Sequence, residues 1–237
     1  MTSTRPDLAY TLSRLCKFNA NPRESHERAA KHVLRYIAGT IDFGITYKPA
    51  DKDFKVQGFS DSDFAGDADN AKSTGGYVFL VGGGAVTWRA KQQSIIARSS
   101  TEAEYVSASD AAQDAVAVKR LLEELGIMKN DQLIDLRVDN QSAIKLAQNP
   151  IIHNRTKHIN VHYHFIRHHL GVTVDLKYVR TSENVADILT KSLPAPAHKQ
   201  HVESMGMGTS KIAKHGHERD RESDQQLIEK SNGNRIC

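Results

Sequence analysis

The feature that most constrains the fold is a run from Thr101 to about Leu125. Its apolar positions Ala108, Ala111, Ala115, Val118, Leu122 and Leu125 recur at helical spacing. Glu104 begins the same stripe, so a carboxylate tops the face this helix buries. A carboxylate so placed is costly unless a cation or a partner compensates it. Glu102 has a different task, because Ser99-Ser100-Thr101-Glu102 matches a capping box, predicting its carboxylate at the Ser99 amide. The helix macrodipole also favours any glutamate near a helix start, so Glu104 taken singly decides nothing.

Upstream of that helix the periodicity is that of strands. Val56 to Asp61, Gly76 to Val81 and Ala85 to Trp88 are three short strands, the last two joined by the turn signal Gly82-Gly83-Gly84. Gly126 ends the helix. Beyond it Leu133 to Val138 alternates apolar and charged residues as a fourth strand. A short helix then carries Ala143, Ile144 and Ala147, and a longer one runs from Thr156 to Leu170. A fifth strand covers Val172 to Val179, and a last helix Val185 to Lys191. The order β-β-β-α-β-α-α-β-α predicts an α/β fold, a mixed sheet with helices packed on it.

Residues 1–50 read as two short helices that bury little alone and belong against something else. Residues 51–196 form the α/β domain, closed by Pro194 and Pro196, and 197–237 form a mostly disordered polar tail.

Four carboxylates fall at element ends: Asp61 ends a strand, Glu104 starts the long helix, Asp139 ends a strand and Asp187 starts the last helix. Each has an ordinary explanation: turn chemistry for Asp61, helix capping for Asp139, and a first-turn position for Asp187 with Asn184 as cap. Jointly they suit hard divalent cations, which take oxygen ligands from rigid elements. Two such ions about 3.5–4 Å apart clamp the attacking and leaving oxygens of a phosphodiester.

The contexts of these residues carry a specific resemblance. Phe59-Ser60-Asp61-Ser62-Asp63-Phe64, Lys72-Ser73-Thr74-Gly75-Gly76-Tyr77 and Ser99-Ser100-Thr101-Glu102-Ala103-Glu104-Tyr105 resemble the ribonuclease H domain of copia-type LTR retrotransposon Pol polyproteins. Val138-Asp139-Asn140-Gln141-Ser142-Ala143, Arg155-Thr156-Lys157-His158-Ile159 and Ala186-Asp187-Ile188-Leu189-Thr190-Lys191 continue it in order, covering about residues 55–194. Arg5-Pro6-Asp7-Leu8-Ala9-Tyr10 and Ala29 to Tyr36 resemble the end of that family's reverse transcriptase, making 1–50 its helical remnant. The resemblance implies a ribonuclease H-like fold, a five-stranded mixed sheet flanked by helices. It implies Asp61, Glu104, Asp139 and Asp187 as catalytic and metal-binding residues for two Mg²⁺ ions, with Mn²⁺ as substitute. The implied activity is cleavage of the RNA strand of an RNA/DNA hybrid. The implied partners are that hybrid and the rest of a Pol polyprotein or its reverse transcriptase. Two departures stand out. The polymerase fingers and palm are missing, so DNA synthesis is not expected. The loop Arg180 to Glu183 also lacks the histidine that many cellular ribonucleases H place before their last helix.

Arg89, Lys91, Arg98, Arg155 and Lys157 are the candidate phosphate contacts. His158/His162 and His164/His168 are i,i+4 pairs, but they point to different sides of a helix and lack a His-Glu-x-x-His motif. A solvated or hybrid-facing surface is the expectation there, not zinc. Trp88 reads as packing. A net charge of +4 fits a polyanionic partner without requiring one. Two cysteines exclude a disulfide framework, and no run reaches the ~18 apolar residues of a membrane span. With no signal peptide at its start, the chain is expected in the cytoplasm, inside a virus-like particle for an active element, with the nucleus as the alternative setting. The rival readings are a non-catalytic nucleic-acid-binding fragment, domesticated or decayed, and a transposase or integrase nuclease of the same fold.

Overall fold

The computed structural model describes residues 3–48, 55–149 and 160–209. A 3₁₀ turn at Pro6–Leu8 leads into α1 (Ala9–Cys16), followed by α2 (Glu24–Gly39) and a short strand β1 (Phe43–Ile45). The meander comes next as β2 (Gln57–Asp63), β3 (Thr74–Val81) and β4 (Gly84–Gln92). After it come α3 (Ser100–Glu124), β5 (Ile134–Val138), α4 (Gln141–Gln148), α5 (Asn160–His169) and β6 (Val174–Tyr178). Two 3₁₀ segments, Thr181–Glu183 and Val185–Leu189, precede α6 (Ala195–Ser204) and β7 (Met207–Thr209).

Five strands form one mixed sheet in the order β4-β3-β2-β5-β6. β2, β3 and β4 are antiparallel, while β5 runs parallel to β2 and β6 parallel to β5. Antiparallel neighbours need only tight turns. The β3–β4 link is Gly82-Gly83, both at positive φ (58° and 76°), a two-residue turn whose twist matches the strands. Parallel neighbours need crossovers, so α3 returns the chain from the β4 edge to β5, beside β2.

Strand alternation divides the core in two. On one face Tyr77, Phe79, Leu136 and Val138 pack against α3, where buried Ala108, Ala111, Ala112 and Ala115 let the helix lie close to the sheet. On the other face Phe59, Val78 and Leu80 are covered by Val185, Ala186, Ile188 and Leu189. Trp88 packs against this second cluster, as expected of a packing residue. The expected α3 stripe ends at Leu122. Leu125 is the C-cap and is exposed, and Gly126 takes positive φ.

Three boundaries differ from those expected from the sequence. The last helix is a five-residue 3₁₀ segment that stops at Leu189. The boundary at 196 falls inside α6, and Val202, Met205 and Met207 join Phe43 and Ile45 over the second face. Residues 197–209 are therefore part of the folded body. A few apolar side chains suffice to cover a sheet face, although the surrounding stretch is polar. Residues 1–50 are also not purely helical, because β1 pairs antiparallel with β7. No described helix is long and apolar enough to cross a membrane.

Asn184 fixes the second layer to the sheet. Its Nδ2 donates to the Ser60 carbonyl at 3.0 Å, while its Oδ1 accepts from the Ala186 amide as the predicted cap. Asn184→Ala should leave a buried carbonyl unpaired and remove the cap. The expected cost is roughly 1–3 kcal/mol, measured as a lower urea midpoint at unchanged m-value.

Candidate active site

Asp61 lies near the end of β2, 2% exposed, on the face covered by the 185–190 segment. Gly76 of β3 pairs with it, and there a Cβ would come within 2.7 Å of Leu189 Cβ, so only glycine allows that segment to approach. Glu104 arrives from α3 on the opposite face. Ser107, one turn further along α3, donates its hydroxyl to the Asp61 carbonyl at 2.7 Å and accepts from Ser60 Oγ at 3.1 Å. These bonds fix the rotation of α3 against β2. Glu104 Oε1 then accepts from the Ser62 amide at 3.1 Å. Asp139 follows β5 directly, beside β2. One carboxylate oxygen from each of Asp61, Glu104 and Asp139 lies within 4.8 Å of the others, which brings together three of the four carboxylates singled out in the sequence.

Asp187 stands at the margin of this trio. Lys191 Nζ lies 3.0 Å from its Oδ1 and 3.6 Å from Asp61 Oδ2. Thr190 also donates its hydroxyl to Asp61 Oδ2. Sequence reasoning missed Ser107, Thr190 and Lys191, and it read Asn184 as a helix cap without its bond to the Ser60 carbonyl. Lys191 alone offered a signal, as the i+4 partner of Asp187.

Burial dominates the electrostatics. It raises the Asp61 pKa, and the charge of Asp187 adds to the rise, against Lys191 and Thr190. It raises Glu104 further, to about 9, with Asp61 and Asp139 adding to it. Asp139 and Asp187 are also raised by burial, opposed by the Thr181 hydroxyl at Asp139 and by Lys191 at Asp187. Burial works against the charge on Lys191, but Asp61 and Asp187 outweigh it and raise its pKa. Among the described residues, Glu104 Oε2 is buried without a hydrogen-bond partner. An orphaned carboxylate oxygen beside two further carboxylates fits a hard divalent cation.

The other candidates are more scattered. Glu102 departs from the capping box: the Ser99 hydroxyl accepts from the Glu102 amide, but Glu102 Oε2 accepts from the Arg98 amide, one residue before the cap. Arg89 and Lys91 line a cavity between β4 and α3 with Tyr77, Gln93 and Asp110. Arg98 is exposed beside the start of α3. Arg155, Lys157 and His158 lie outside the described residues. His162 sits 3.8 Å from Asp110, and among the described residues no histidine joins a metal-capable group.

The strand order and the acidic trio at the end of β2 define a ribonuclease H-like domain. No protein-family model matches the chain. It is 39% identical over 208 residues to the retrovirus-related Pol polyprotein from transposon TNT 1-94 of Nicotiana tabacum, aligning 87% of this chain with 15% of that protein. It is 38% identical over 205 residues to the Pol polyprotein from transposon RE1 of Arabidopsis thaliana, 86% of this chain and 14% of that one. The chain is homologous to a stretch of the retrovirus-related Pol polyproteins of copia-type transposons, and spans about 15% of the length of these relatives. Among solved structures it is similar to RNase H1 from Halobacterium salinarum, with a TM-score of 0.42 at 20% identity over 57% of this chain and 94% of that one. That likeness is too loose to add to what the strand order already fixes.

These shifts set a pH dependence. An acid whose pKa is raised by folding binds more protons folded than unfolded, so metal-free stability falls as pH rises from the ordinary carboxylate value of about 4. The fall continues up to about 9, the Glu104 value. Mg²⁺ should offset it, so the Mg²⁺-induced rise in Tm should be larger at pH 8 than at pH 5. The expected difference is at least about 3 °C, the shift that 1 kcal/mol produces in a protein of this size, read by thermal melts with Mg²⁺ and with EDTA.

Proposed function

We propose that the chain is a metal-dependent endoribonuclease that cleaves the RNA strand of RNA/DNA hybrids during retrotransposon replication. The observation that carries this reading is the convergence of Asp61, Glu104 and Asp139 on one point, with a buried Glu104 oxygen left unpaired. Asp61, Glu104 and Asp139 would hold Mg²⁺ or Mn²⁺, and Asp187 a second ion once Lys191 yields its oxygens. Bound there, such ions supply Lewis-acid stabilisation of phosphodiester oxygens and an acidified water. The protein's own residues do the positioning. Ser107 and Ser62 hold Asp61 and Glu104 on rigid elements, and Gly76 lets Thr190 and Lys191 close over them. Arg89, Lys91, Arg98, Arg155 and Lys157 bind the phosphate backbone. RNA is distinguished through its 2′-hydroxyls in a wide minor groove, because A-like helices are read by shape. In an active element this activity belongs in the cytoplasm, in a virus-like particle with the rest of the polyprotein.

The competing reading, a nucleic-acid-binding fragment without catalysis, separates cleanly by mutation. Asp61→Asn and Glu104→Gln keep side-chain shape but each removes a ligand charge. Each should lower single-turnover cleavage of a labelled hybrid by about 10³-fold or more, since the lost stabilisation acts in the transition state. Hybrid binding should hold or tighten, because a repelling carboxylate is gone. Wild type that binds hybrid yet cuts nothing in Mg²⁺ would sink the enzyme reading.

A further inference from the structure

The N-terminal segment reaches the same end of the sheet as the acidic trio. Asp67, in the loop between β2 and β3, is nearly buried, and a single oxygen of it meets two cations from α1 and its C-cap. Arg14 Nη1 lies 2.9 Å and Lys17 Nζ 2.7 Å from Asp67 Oδ2. Gln92 Nε2 donates to the same oxygen at 2.8 Å. One negative charge therefore serves two positive side chains, each still about 30% exposed. These cations open onto a groove of about 330 Å³ between α1 and the end of edge strand β4, and Lys91, which also lines the cavity on the α3 face of that strand, stands at its rim as a third. The three cations meet two carboxylates, Asp67 and Asp63, the latter close enough to feel the charge of Arg14, and the Ser13 and Thr74 hydroxyls complete the lining. A surplus of partly desolvated positive charge is matched best by an anion with several acceptor oxygens.

Register fixes where the groove lies. Gln92 pairs with Thr74 and Thr74 with Asp63, while Lys91 pairs with Gly75 and Gly75 with Ser62, next to Asp61. Two strand spacings separate β4 from β2, about 10 Å, close to three nucleotide steps at about 3.4 Å per step along one strand. A polyanion crossing the trio is repelled by its carboxylates and needs cations on its flank. We propose that Arg14, Lys17 and Lys91 form a phosphate-binding subsite for a strand of the hybrid, so that α1 is part of the nucleic-acid-binding surface. This rests on the hybrid reading above. The opposing reading is that Arg14 and Lys17 only staple α1 to the β2–β3 loop.

The two differ in sign at Asp67. Binding of a fluorescent 20-base-pair RNA/DNA hybrid to the full chain is measured by anisotropy across a salt series in EDTA, where cleavage plays no part. R14Q/K17Q should weaken binding about tenfold at low salt and make the log Kd–log salt slope shallower by about 1–2, at about 0.9 for each phosphate no longer neutralised. K17Q alone should move both in the same direction by about half. D67N keeps an acceptor for the Asp69 amide (3.0 Å in wild type) but frees both cations. It should bind hybrid at least as tightly as wild type, with an equal or steeper slope, even while it melts lower. K129Q, in the loop after α3, should match wild type. An unchanged slope in R14Q/K17Q, or weaker binding with a shallower slope in D67N, overturns the proposal. Cleavage by wild type in Mg²⁺ is scored separately, so an inactive protein that still shows these binding shifts defeats the enzyme reading and leaves the subsite standing.

Discussion

The hydrogen bond from the Ser107 hydroxyl to the Asp61 carbonyl is the interaction on which the rest of the site depends. It joins the longest helix to the central strand through buried groups, so it resists any sliding between them. The alanines along α3 allow the close approach, and the serine sets the rotation. With both fixed, Glu104 one turn earlier has a single place to go, against the Ser62 amide and towards Asp61. Two acidic residues on opposite faces of a sheet are thereby brought together at the end of its central strand.

Holding these carboxylates together works against folding, and the chain compensates locally. Lys191 lies between Asp61 and Asp187, and Thr190 donates to Asp61 from the same short segment. That segment reaches the strand because Gly76 has no side chain in its way. Asn184 pins its start to Ser60, in the strand that carries Asp61. The compensation covers Asp61 and Asp187, both facing Lys191, more fully than Glu104, whose second oxygen has no hydrogen-bond partner among the described residues. The imbalance marks where a cation has most to gain.

Much of this is legible in the sequence, for identifiable reasons. Strand alternation, the Gly82-Gly83 turn and the α3 stripe are local patterns, and each predicts its element. Asp61, Glu104 and Asp139 stand out because each ends or begins such an element. The relation of Lys191 to Asp61 is not legible, since it spans 130 positions and depends on a 3₁₀ segment that reads as ordinary helix. Ser107 looks like one more small residue on a helix. The β1 and β7 strands are three residues each, too short to alternate, and they identify each other only by pairing. Glu102 shows the limit of motif reading: the capping pattern predicts the hydroxyl half correctly, while the carboxylate selects an amide one residue away.

The pairing of β1 with β7 bears on how the polypeptide folds as it leaves the ribosome. Phe43 pairs with Thr209, so β1 emerges 166 residues before its partner. At about 5–20 residues per second of synthesis, that gap lasts roughly 8–33 s. The hairpin from β2 to β4 and the helix α3 are built from local sequence and can form within that interval. Phe43 has the Arg5 guanidinium over its ring, but Phe43 and Ile45 must wait for Met205 and Met207 to join them over the same sheet face. The second layer of this domain therefore closes last, and chaperones have their longest access to its open face while the strand that carries Asp61 is already in place.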